Sequence, residues 1–374
     1  MRSSLVLLLA LVAAACLPPV SSTESLVPMS DAIPHASDWR QHDTTRPAPD
    51  RAEPAPSRLP TPAPADATVL IPADGGSTEA FRATWESPGG NVPPWVVEDG
   101  AVVVVPGSGP IQTRRSFGDL QLHIEWQAAD EPEKTSQDRS NSGVFLLDGR
   151  YEVQILDTYD NATYPDGMAG AIYGQYPPLA NALRPSNEWQ SYDLFFRSPR
   201  FSDDGTVLEP ARLTVLINGV LVQNNELLPG MTIWMQSLPY ELHPSTGAIQ
   251  LQDHGSPVRF RNLWVRETPA RPVPPAGYAD IAAVDVSEVD LARLVGRYER
   301  GPGDLFVIED TPDGLALSMP WRSGLLPMVP LSPTRFQLQH TAAVLTFGLD
   351  ADSQPTGLVV EMGGGTYPAT RVVE

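Results

Sequence analysis

A chain of 374 residues with 41% apolar side chains can bury the cores of about two domains. Forty prolines and 29 glycines exclude a mainly helical protein. A formal net charge of −20 leaves no basic stripe to neutralise phosphates, which excludes nucleic acid as a partner.

Residues 1–16 read as an export signal. Arg2 supplies the positive end, and Leu5 to Ala15 form an apolar run too short to span a bilayer. The run ends Ala13-Ala14-Ala15-Cys16, and Cys16 is the only cysteine, so no internal disulfide can form. Its place after three small residues resembles a bacterial lipobox, with Ala13 where leucine is usual. The expectation is a lipid-anchored protein of the cell envelope, with Cys16 as the attachment point. Residues 17–66 carry the run RPAPDRAEPAPSRLPTPAPAD and little periodicity, as in an extended, semi-rigid tether.

Residues 67–268 show strand after strand. Val96-Val97 and Ala101 to Val105 flank a Glu98-Asp99-Gly100 turn. In Leu120 to Trp126, Leu122, Ile124 and Trp126 share one face, and Gln121, His123 and Glu125 the other. Asn218-Gly219 is a strong hairpin signal between Leu213–Ile217 and Val220–Val222. Short strands between turn signals, with no helical heptads, predict an all-β sandwich.

The chemistry concentrates between 140 and 182. Asp148-Gly149 breaks two strand-like runs, and the second alternates. Tyr151, Val153 and Ile155 share one face, while Glu152 and Gln154 share the opposite one. A loop rich in Gly, Pro, Tyr and Asn follows, of a length often given to function. Further on, Ile249 and Leu251 face one way, and Gln250, Gln252 and His254 the other. Two strands thus offer a carboxylate, amides and an imidazole from polar faces.

Residues 269–285, including PARPVPP, form a second linker. Residues 286–374 open with one short helix and continue as short strands and turns. They predict a small β-barrel and resemble the C-terminal domains appended to some secreted bacterial hydrolases. No catalytic cluster stands out in them.

Taken in order, several segments resemble the 3-keto-disaccharide hydrolase family of 3-keto-glucoside lyase/hydratase domains. They include Trp95 to Gly100, Phe117 to Leu120, Asn141 to Phe145, Tyr151 to Asp157, Ile172 to Gly174, Glu188 to Asp193, Gln252 to Gly255 and Pro257 to Arg266. The resemblance implies a concanavalin-like jelly roll acting on oxidised, 3-keto sugar glycosides. A ketone at C3 acidifies the C2 hydrogen; a base removes it, the C1 oxygen leaves, and water adds back. Such a site needs a base, an acid and donors for an enolate.

Residue chemistry then nominates His254 and Glu152 for proton transfer, with acid and base roles left open, and Arg259 for the enolate. Asn141, Gln154 and Gln252 can bind hydroxyls, and Tyr173 and Trp189 can stack on a sugar. Glu125, Glu152 and Asp157 could hold a divalent metal, which the sequence neither requires nor excludes. The competing functions are a carbohydrate-binding lipoprotein without chemistry and a structural surface module. An acid–base pair at Glu152 and His254 separates the enzyme from both.

Overall fold

The computed structural model describes residues 39–236, 238–269, 281–319, 322–339 and 341–373. Cys16 and the signal run lie outside the described residues. The chain forms two compact units, divided near residue 270.

The first unit is a β-sandwich. In chain order its strands are β1 (Thr68–Ile71), β2 (Trp85–Glu86), β3 (Val96–Glu98), β4 (Ala101–Val103) and β5 (Ile111–Thr113). Next come β6 (Leu120–Gln127), β7 (Ser142–Leu146), β8 (Tyr151–Ile155), β9 (Trp189–Arg197) and β10 (Arg200–Phe201). The last are β11 (Val207–Glu209), β12 (Arg212–Ile217), β13 (Val220–Leu227), β14 (Gln250–Leu251) and β15 (Arg259–Glu267). One sheet runs β13-β12-β9-β6-β15-β4-β3, with β1 paired to β15, and the other runs β2-β5-β14-β7-β8. Non-consecutive neighbours such as β6 beside β15 make this a jelly-roll-like sandwich and not a meander.

Alternation explains the layering. Leu122, Ile124 and Trp126 of β6 and Tyr151, Val153 and Ile155 of β8 project into one buried core with Trp85, Trp95, Tyr192 and Phe260. The hairpin signals form where expected. Asp99 and Gly100 have φ of 44° and 75° between β3 and β4, and Asn218 and Gly219 have 52° and 82° between β12 and β13.

One polar face departs from the usual solvated pattern. His123 and Glu125 were expected on the outer face of β6, and that face is buried too. His123 stacks on Trp264 with ring centroids 5.1 Å apart. Glu125 accepts hydrogen bonds from Arg261 Nε at 2.8 Å, Asn262 Nδ2 at 2.7 Å and the Thr61 N–H at 2.9 Å.

Thr61 belongs to the expected tether, and this corrects that expectation for its described part. Residues 39–46 form turns and residues 47–64, rich in proline, follow without helix or strand, but the whole segment lies against the sandwich. The Ala52 N–H donates to Asn181 O at 3.0 Å, and the Asn181 N–H to Asp50 O at 2.8 Å. The Arg51 guanidinium sits 4.0 Å from the centre of the Tyr159 ring. Proline presets an extended path without removing the backbone groups of the residues between, and those groups pair with the domain.

The second unit opens on one short helix, as expected. Helix α1 (Thr78–Thr84) sits inside the sandwich sequence, whereas α2 (Glu288–Leu294) precedes the barrel strands. These are β16 (Gly296–Gly301), β17 (Asp304–Thr311), β18 (Gly314–Met319), β19 (Arg322–Ser332), β20 (Arg335–Leu338), β21 (Val344–Leu349), β22 (Pro355–Met362) and β23 (Gly365–Arg371), closed as a barrel. Closure removes the edges that an open sheet would expose. Tyr298, Phe336 and Phe347 pack edge-to-face in its core. Tyr298 Oη donates to Leu294 O at 2.8 Å, and Arg371 donates to Arg293 O and Val295 O at 3.1 and 3.2 Å, so the orphan carbonyls ending α2 find partners.

Candidate active site

The β7–β8 hairpin ends the smaller sheet and sets the site. With Val153 and Ile155 in the core, Glu152 and Gln154 must point outward. Outward is not into solvent here, because two loops fold back over the face. The 157–188 loop returns so that the Gln154 N–H donates to Ala171 O at 3.0 Å and the Gly170 N–H to Gln154 O at 2.9 Å. From the other side, Thr232 Oγ1 accepts the Glu152 N–H at 2.8 Å. Glu152 is left 6% exposed and Gln154 1%.

Between these loops lies a cavity of about 570 Å³. Its lining brings together Glu152, Gln154, Asn141, Tyr173, Gln252 and His254. Their geometry is ordered. Gln154 Nε2 donates to Asn141 Oδ1 at 3.2 Å and Gln137 Oε1 at 3.3 Å, and Asn141 Nδ2 donates to Gln137 O at 2.7 Å. The carbonyl oxygens Gln154 Oε1 and Gln252 Oε1 are buried without a partner. Buried acceptors of this kind normally have partners, and sugar hydroxyls would supply them.

His254 is exposed, on a turn that Asp253 builds. Asp253 Oδ2 accepts the Gly109 N–H and Oδ1 the Gly255 N–H, each at 2.9 Å. Lys134, the only lysine, bonds Glu131 Oε1 at 2.6 Å and Ser256 Oγ at 3.3 Å, bracing the same turn.

Electrostatics separate the groups. Burial pushes the Glu152 carboxyl up to about 8, so it holds its proton at neutral pH. Tyr173 and Tyr164 share a hydrogen bond of 3.0 Å, and burial raises both phenols, Tyr173 well above its ordinary range. In this pair one hydroxyl donates to the other, which leaves one O–H free for a ligand.

Other nominated residues lie elsewhere. Arg259 belongs to β15 of the larger sheet, and its guanidinium donates to Asp99 O at 3.0 Å. It does not line the cavity, which is where the enolate role expected for it would require it to be. Trp189 begins β9 under the Arg261 guanidinium, 4.0 Å from its ring centre, and is no sugar platform in this cavity. Glu125, Glu152 and Asp157 do not converge. Asp157 pairs with Arg139 Nε at 3.1 Å and Ser186 Oγ at 2.6 Å, while Glu125 is held by Arg261 and Asn262. Among the described residues no three His, Cys, Asp or Glu side chains group to hold a metal.

Sequence reasoning missed Gln137, Tyr164 and the 231–234 segment, including Trp234, which is 66% exposed at the cavity. Tyr164 lies in the loop singled out for function. Met231 to Trp234 has no strand periodicity, and its one signal is an apolar run placed after Pro229-Gly230.

The family model of the 3-keto-alpha-glucoside-1,2-lyase-like domain matches residues 66–266. A candidate glycosyl hydrolase of Parabacteroides distasonis, solved as a crystal structure, is 44% identical; the match covers 55% of this chain and 85% of that one, with a TM-score of 0.51. A second candidate glycosyl hydrolase of the same organism is 22% identical over 50% of this chain and 90% of its own, with a TM-score of 0.36. No curated protein matches this chain.

Proposed function

The chain belongs to the 3-keto-alpha-glucoside-1,2-lyase-like family, and from that premise we propose that it cleaves the glycosidic bond of 3-keto-glycosides by elimination and hydration. The observation that carries this reading is Glu152, a buried carboxyl that keeps its proton at neutral pH on the floor of a polar cavity. A binding module has no use for such a group; proton transfer does.

The steps balance without any redox partner. His254 takes the C2 proton, and the C2–H electron pair moves into an enolate on the C3 oxygen. The neutral Tyr164–Tyr173 pair supplies the donor for that oxygen in place of Arg259. The enolate collapses, the C1–oxygen bond breaks, and Glu152 gives its proton to the departing oxygen. Water then adds across C1 and C2: its oxygen bonds C1 while its proton goes to the Glu152 carboxylate, and the exposed His254, its proton exchanged with solvent, returns one to C2, so the sum equals hydrolysis and both groups are restored. Gln154 and Gln252 offer their unpartnered carbonyl oxygens to hydroxyls, which fixes the sugar relative to the two proton-transfer groups. Anchoring through a lipid on Cys16 belongs to the same proposal and places the reaction in the cell envelope.

Incubation of the full chain with a 3-keto-glycoside and with its unoxidised parent tests the reading. Release of the aglycone from the ketone alone is expected, because the parent has no acidified C2 hydrogen. Equal release from both would point to ordinary acetal hydrolysis.

A further inference from the structure

The family match begins at residue 66, yet the strap before it reaches the cavity walls. Gln41 Nε2 donates to Ile233 O at 2.8 Å, and Ile233 lines the cavity. One residue on, the His42 N–H donates to Asp166 Oδ2 at 2.9 Å, and His42 Nδ1 lies 3.4 Å from Asp166 Oδ1. The His42 ring packs on Tyr164 and Tyr173, with centroids 4.1 and 5.2 Å away. Its Nε2 is buried without a partner. Gly174, at φ +70°, allows the Gln41 amide to pass, since a Cβ there would collide with it.

We propose that Gln41 and His42 are positioning residues of the active site, clasping the tyrosine loop to the 231–234 loop. This inference rests on the elimination reading above, in which Tyr164 and Tyr173 serve the enolate. The two loops wall one cavity but come from distant parts of the chain. Gln175 Nε2 joins them directly, to Gly230 O at 3.0 Å and Met231 O at 3.3 Å, and adjacent strap residues add a bond to each loop nearer the phenols and Ile233. Asp166 is buried, and the His42 backbone and ring both turn to its carboxylate, which sets the ring against the phenols. A donor misplaced by about 1 Å can cost two orders of magnitude in rate, so a clasp on the phenols acts on kcat. The matched domain alone lacks this device.

The experiment uses the full chain with His42→Ala, His42→Asn and Gln41→Ala. The expected result for His42→Ala is a kcat lowered roughly 10- to 100-fold with KM within about twofold. His42→Asn keeps a donor toward Asp166 and should recover part of that loss; a prop that served stability alone would show no such rescue. Hydrogen exchange should quicken in residues 164–174 and 231–236 in both His42→Ala and Gln41→Ala. Folded variants with wild-type kcat, or with wild-type exchange in both loops, would overturn the inference. If His42→Ala does not fold, Gln41→Ala carries the same two readouts. Failure of the elimination reading shows separately, as no turnover of a 3-keto-glycoside by the wild-type chain, and the exchange measurement then still decides the clasp.

Discussion

Glu152→Gln should lower kcat on 3-keto-glycosides with sugar or alkyl leaving groups by about two to four orders of magnitude, the usual effect of losing a general acid. The amide is nearly the same shape and stays uncharged, as the acid is at neutral pH, so the cavity keeps its form. What disappears is the proton for the departing oxygen. The loss should therefore depend on the leaving group. A nitrophenolate leaves without protonation, and the variant should recover most of its rate on a 3-keto nitrophenyl glycoside. Wild-type kcat/KM should fall as pH rises through about 8, where Glu152 gives up its proton. A variant equally crippled on both leaving groups would move Glu152 from the acid role to the base.

The same substitution should make the sandwich more stable. In the unfolded chain the carboxyl titrates in its ordinary range near 4.3. In the folded chain burial raises it to about 8. Between those values the folded protein holds a proton that the unfolded chain has released. Stability is therefore full below the lower value, falls as pH rises through the window, and levels off above the upper one. Glutamine does not titrate, so the variant escapes the fall. It should match the wild type near pH 4 and exceed it by about 4 kcal/mol at pH 7, at 1.36 kcal/mol per pH unit. Seven of the eight tryptophans lie between residues 39 and 264, so their fluorescence during urea unfolding follows this unit. Parallel stability–pH curves for the two proteins would show that Glu152 is not held neutral by burial. A gain in stability joined to a loss of turnover is the pattern expected where a fold keeps an unfavourable group for its chemistry.

Period-two alternation carried much of the site. It placed Glu152 and Gln154 opposite Val153, and Gln252 opposite Leu251, because strand geometry allows nothing else. Residue chemistry nominated Arg259 and Trp189, and neither chemistry nor alternation tells which sheet a strand joins. Those two ended in the larger sheet. Nor could local pattern show that the Glu152 face would be roofed. The roof is made by the 157–188 loop and by Thr232, 80 residues beyond Glu152, and such contacts leave no periodic trace. The docking of residues 39–66 was hidden for a related reason. Proline content fixes an extended backbone but not what lies beside it. Trp234 escaped because an exposed aromatic in an aperiodic segment has no pattern to break.

The central claim, elimination across C1 and C2, is tested most directly by the fate of the C2 hydrogen. A 3-keto-glycoside turned over in deuterated water, with an enzyme-free control for spontaneous exchange, should give product carrying solvent deuterium at C2, because that hydrogen is removed and the carbon is reprotonated when water adds back. Product that retains its original C2 hydrogen completely, from the earliest times sampled, would contradict elimination and return the site to direct hydrolysis at C1.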